Sequence, residues 1–86
     1  MHAHVVTVDI SDVEAAVKGL GELVPTVQAM PGFVGGYWVS LDDSHGISLS
    51  VFETEEQARS AAPPVGGGME GVTVSSVQFG EVVGSA

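Results

Sequence analysis

Apolar and polar residues alternate through His4-Val5-Val6-Thr7-Val8-Asp9-Ile10. Val6, Val8 and Ile10 fall on one side of an extended chain, and Val5, Thr7 and Asp9 on the other. A period of two in β-branched residues predicts a strand over 4–10. The period then changes. Val13, Ala16, Val17, Leu20, Leu23, Val24 and Val27 recur at three- and four-residue steps, the stripe of an amphipathic helix over 12–30. Ser11 and Glu14 are spaced as a capping box at its start. Pro25 lies inside the stripe and presses on the carbonyl of Gly21, where no side chain adds to the crowding, so a kink or tightened turn is expected there rather than a stop. Pro31-Gly32 ends the helix.

Residues 33–41 and 47–54 predict a hairpin across Asp42-Asp43-Ser44-His45-Gly46, a run rich in turn formers. Setting Leu41 against Ile47 places Val39 opposite Leu49 and Tyr37 opposite Val51. The reverse face then pairs Ser40 with Ser48, Trp38 with Ser50 and Gly36 with Phe52. Thr54 and Gln57 form a second capping box, opening a helix over 55–62 with Glu55 and Glu56 at the positive end of its dipole. Pro63-Pro64 closes it. Residues 65–71, with three consecutive glycines, predict a mobile loop. A last alternating strand runs over 72–79, and the tail from Glu81 either extends that strand or frays.

There is no internal repeat and no linker, so 1–86 is one domain. The order β-α-β-β-α-β predicts an α+β class, ferredoxin-like βαββαβ plait with an antiparallel sheet and both helices on one face. The face bearing Val6, Val8, Ile10, Tyr37, Val39, Leu41, Ile47, Leu49 and Val51 is the more apolar and is expected beneath the helices. Val5, Thr7, Trp38 and Phe52 would then face outwards. That second face is too apolar for water, which predicts a homodimer formed sheet to sheet. Pairing also suits a chain whose single small core leaves little stability in hand.

Composition narrows the functions. Two basic residues stand against eleven acidic ones, a net charge of −9. Such a chain is unsuited to nucleic acid or to an anionic membrane surface, both of which are gripped through Lys and Arg. With no cysteine there is no disulfide, thiolate metal site or cysteine nucleophile. No apolar run could span a bilayer, and Met-His-Ala-His-Val-Val lacks the regions of a signal peptide, so a soluble cytoplasmic domain is expected. Lys18 and Arg59 are the only partners for an anion, fewer than haem propionates, coenzyme A or nucleotides usually meet. A neutral, largely apolar or phenolic ligand and no bound cofactor fit this composition.

Met30-Pro31-Gly32-Phe33-Val34-Gly35-Gly36-Tyr37 resembles the Pro-Gly-Phe turn of the dimeric α/β-barrel superfamily, nearest to antibiotic-biosynthesis-monooxygenase-like domains. Val51-Phe52-Glu53-Thr54-Glu55-Glu56 is similar to that family's third strand and acidic helix start. Val72-Thr73-Val74 through Gly80-Glu81-Val82-Val83 resembles the closing strand of small members. The likeness runs over nearly the whole chain. It implies a dimeric α/β barrel and, as activities, cofactor-free oxidation of polycyclic phenols, haem opening, or no turnover. The better-understood oxygenases and haem degraders use an asparagine with a tryptophan. This chain has Trp38 and no asparagine, so neither set is complete.

Several side chains are candidates for function. Tyr37 and Glu53 would be the polar, catalytic groups of a monooxygenase-like pocket, with Tyr37, Leu49 and Val51 lining it; burial would raise the basicity of Glu53. A structural partner for the Tyr37 hydroxyl and a solvated rim position for Glu53 are the plainer readings. Trp38 could stack a flat substrate, but an interface role with Phe52 and Thr7 weighs more. His2 and His4 share a strand face, yet two ligands do not close a metal site, and an exposed terminal pair is the plainer reading. His45 is expected in solvent. Gly66-Gly67-Gly68 lacks the Lys-Ser/Thr of a phosphate loop. Three functions therefore remain: a monooxygenase-like enzyme acting on a small hydrophobic aromatic, a non-catalytic binding or dimeric assembly module, and haem binding, which a Soret titration tests. A cavity between helix and sheet favours the first, and large side chains filling that space favour the second.

Overall fold

The computed structural model describes residues 1–86 as β1 (His2–Ile10), α1 (Val13–Gln28), β2 (Phe33–Ser40), β3 (His45–Phe52), α2 (Glu55–Ala61), β4 (Gly68–Met69) and β5 (Val72–Glu81). The strands form one antiparallel sheet in the order β2-β3-β1-β5-β4. This is a small α+β fold, compatible with a ferredoxin-like arrangement. Each element of the sequence reading is present within a few residues of its expected span. The addition is β4, a two-residue strand inside the glycine-rich segment expected to be a mobile loop. Gly66 N–H donates to Val74 O at 2.8 Å and Val74 N–H to Gly67 O at 2.8 Å. The segment is thus a hydrogen-bonded arm against β5, and its Met69 side chain lies close over Gly19 of α1.

The helix starts divide the two capping expectations. Thr54 and Gln57 form the expected reciprocal box, each side chain accepting from the other's backbone N–H. At α1 the cap is Asp12, whose Oδ1 accepts from Ala15 N–H at 3.1 Å, not Ser11. The N–H groups of Ser11 and Asp12 both donate to Gly71 O, which draws Ser11 into the connection and moves the helix start on by one residue. Gly71 sits there at φ +80°, and a Cβ on it would lie 2.7 Å from Asp12 O. α1 runs through Pro25, whose carbonyl accepts from Ala29 N–H at 3.2 Å. Of its apolar stripe, Ala16 and Val27 are buried, whereas Val13 and Val17 remain exposed.

The sheet corrects two expectations about the hairpin. Tyr37 pairs with Leu49 and Val39 with Ile47, two residues away from the expected register. The turn is tighter than a five-residue loop because Asp42 Oδ1 accepts from Ser44 N–H at 2.7 Å, which frees His45 and Gly46 to join β3. A shift of two preserves the faces. Val6, Val8 and Ile10 of β1 lie on the helix side as expected, but the hairpin turns its other face to the helices. Trp38 and Phe33 pack with Leu23, Met30 and Ala61 against a core of Val27, Phe52 and Ala58. Trp38 and Phe52, expected to face outwards, are therefore part of the core, and Tyr37, Val39, Leu49 and Val51 face away from the helices.

The physical reason is space. The helix-side positions Gly36, Gly46, Ser48 and Ser50 are small, so the helices can approach, and the few large rings fill what remains. The Trp38 indole lies over Gly36, 3.2 Å from where a Cβ would stand, and Val8 and Ile10 lie over Gly46. Two bulges complete the face. One between Phe33 and Gly35 turns odd-numbered Phe33 to the same side as Trp38. Another between Val74 and Ser76 puts Val72, Val74, Val77 and Phe79 on one side with Val8, Ile10, Val6 and His4.

Phe52 is 0% exposed. The Phe33 ring meets it edge-on at 5.7 Å, and the His4 ring lies 5.6 Å away. His4 is itself buried, so it is not one of an exposed pair as the sequence suggested. Its Nδ1 is 2.9 Å from the Ala58 carbonyl, which can only accept, so Nδ1 carries the proton. Just before β1, Met1 O accepts from Val82 N–H at 2.9 Å, joining the start of the sheet to the residue after β5.

Phe52→Ala is expected to cost about 3–5 kcal/mol in urea denaturation, the range for removing a fully buried aromatic ring. Gly71→Ala is expected to cost about 1–2 kcal/mol, from the left-handed backbone alone, with additional loss from the contact at Asp12.

Candidate functional site

With both helices on one side, the other side of the sheet lies open. Val5 and Thr7 of β1, Tyr37 and Val39 of β2, and Ile47, Leu49 and Val51 of β3 share it by register. Ser76 and Gln78 of β5 continue it opposite Thr7 and Val5. None of these nine side chains is charged. Tyr37 is 72% exposed, Val39 48% and Leu49 38%. Alternation along each strand produces this surface, because a residue's neighbours two positions away share its face.

Of the expected site residues, Tyr37, Leu49, Val51 and Thr7 come together here, with Tyr37 directly across from Leu49 and Thr7 across from Ile47. Glu53 does not join them. It follows the end of β3, exposed, with its N–H donating to Gly32 O at 2.9 Å. Tyr37 lies across from Leu49, whereas Glu53 lies past the end of β3, four positions further along the chain. Trp38 and Phe52 are withdrawn into the core and present nothing to a partner on this face. The space between helices and sheet over β2 and β3, where a substrate cavity was the test of the enzyme reading, is occupied by Phe52, Trp38, Phe33, Leu23 and Met30.

Polar chemistry collects elsewhere. At the β2–β3 turn the His45 Nδ1 lies 3.0 Å from Asp42 Oδ1, and its Nε2 lies 3.8 Å from Asp9 Oδ1. The hydrogen bond from Ser44 N–H, followed by that from the His45 ring, holds the Asp42 carboxyl below its ordinary value of 3.8. A second cluster, not anticipated from the sequence, surrounds a depression at the start of β1 and the end of β5, with His2, Glu55, Arg59 and Glu81 around it. His2 and Glu81 are brought side by side by the pairing of β1 with β5, and Glu55 and Arg59 come from α2, which packs over that end of the sheet. No helix is long and apolar enough to cross a membrane.

Comparison with known proteins adds no identification: no family model, curated protein or solved structure matches the chain.

A lowered carboxyl value means that the Asp42 turn contacts are complete above the ordinary carboxylate range and are lost as pH falls through the lowered value. Asp42 is therefore expected to titrate below 3.8 when followed by its carboxyl carbon shift in NMR. His45→Ala should raise that midpoint only in part, since the Ser44 N–H remains.

Proposed function

We propose that this chain is one half of a dimeric α/β barrel of the antibiotic-biosynthesis-monooxygenase-like kind, and that it works as a dimeric assembly and small-molecule-binding module. The single observation that carries the reading is the open face. A chain with net charge −9 repels its own copies almost everywhere. Yet the middle of the open face, at Val5, Thr7, Tyr37, Val39, Ile47, Leu49 and Val51, carries no charged side chain, charge entering only at its edge with Asp9, and it exposes Tyr37, Val39 and Leu49. A second copy is the occupant that matches such a face residue for residue, since a two-fold interface pairs one patch with itself. Tyr37 supplies an aromatic anchor of the kind that dominates interface energies.

The filled space between the helices and β2–β3 favours a binding or assembly role over turnover in that space. If the barrel encloses a small hydrophobic or aromatic molecule, Tyr37, Leu49 and Val51 are the residues placed to meet it between the sheets, with the Tyr37 hydroxyl as the polar contact.

The test is solution mass by light scattering at low micromolar concentration. The wild-type chain is expected at twice 8.7 kDa. Leu49→Glu puts a like charge from each copy into the interface and is expected to give the mass of one chain with unchanged far-ultraviolet circular dichroism. A monomeric wild type overturns the proposal.

A further inference from the structure

We propose that the depression at the end of the sheet is a binding site for a small zwitterion, an α-amino acid or an amino-carboxylate of similar size. It is a concavity of about 190 Å³ beneath α2, where β1 begins and β5 ends. At about 30 Å³ for each water of liquid, that is room for roughly six non-hydrogen atoms. Ala58 keeps its wall low.

The polar groups around it are unusual for this chain. Arg59 is one of only two basic residues. Its guanidinium lies 4.4 Å from the centroid of the Phe79 ring, which holds it over the depression. Its Nε donates to Glu55 Oε1 at 3.1 Å, an i,i+4 pair that occupies one of five donors and leaves the terminal nitrogens for a ligand. Glu81, across the sheet from His2, has no ion pair. The Nδ1 of His2 is buried and has no hydrogen-bond partner in the fold. A buried polar atom without a partner is costly unless something outside the chain satisfies it.

These groups select a charge pattern. A simple anion would meet two carboxylates, and a simple cation would meet the guanidinium. A molecule carrying both charges places its carboxylate on the free Arg59 nitrogens and its ammonium on Glu81, with His2 lining the same depression. A bare metal ion is a poorer match, because His2, Glu55 and Glu81 are not grouped so that they could hold one. The site does not depend on pairing of the open sheet faces, so it stands or falls separately from the dimer.

The experiment is an NMR titration of the intact protein with L-alanine, acetate and ethylammonium in parallel, following the His2 ring and the amides of Arg59 and Glu81. Because the site is half open to water, binding with a dissociation constant on the order of 1 mM is expected for alanine. Acetate and ethylammonium are each expected to bind at least about tenfold more weakly. Arg59→Gln and Glu81→Gln are expected to weaken alanine binding by about tenfold each. Ser60→Ala, on the same helix and outside the site, should leave binding unchanged. Shifts that do not saturate with alanine, equal binding of acetate or ethylammonium, or unaltered binding by the two variants would each overturn the proposal.

Discussion

The Phe52 ring is where the structure converges. α1 reaches it through Val27, α2 through Ala58, β1 through His4 and β2 through Phe33. Burying such a ring is worth about 1.5–3 kcal/mol, a large share of what one small core can supply. Its position also decides which side of the sheet is covered. Once Phe52 faces the helices, alternation sends Val51 and Leu49 to the other side, and pairing carries Tyr37 and Val39 with them. The exposed apolar face is thus a consequence of where the core was built.

The secondary structure was legible because local chemistry writes it plainly. The period of two at Val6, Val8 and Ile10, the helical stripe ending at Val27, and the Thr54–Gln57 box each act within a few residues. The inverted hairpin face was not legible in that way. Counting apolar residues favours the side with Tyr37, Val39, Leu49 and Val51, but a helix needs clearance as well as hydrophobicity, and Gly36, Gly46, Ser48 and Ser50 provide it. The register slipped because a strong Asp42 turn is shorter than its composition suggests. The two bulges, at Val34 and Ser75, break the period of two and so hide Phe33 and Val72 from a reading that assumes it.

The candidate groups follow the same division. Tyr37, Leu49 and Val51 were grouped by strand alternation, and they do share a face. Glu53 was assigned to them by parity alone, and distance along the strand separates it. The cluster of His2, Arg59 and Glu81 left no mark in the sequence, because its members are far apart in the chain and carry no shared motif. The antiparallel pairing of β1 with β5 joins His2 to Glu81, and the packing of α2 on that end of the sheet adds Arg59.

That pairing has one more effect. Met1 and Val82 are joined by a hydrogen bond, so the backbone from the first residue to the last strand is nearly a closed ring. Neither end can peel away without uncovering the other, and fraying of the two is a single event rather than two. A chain with these ends joined by a short flexible segment and reopened at Asp43, in the exposed β2–β3 turn, would keep every strand pair and both helix caps. The fold is therefore defined by its circuit of contacts more than by the point at which the chain enters it.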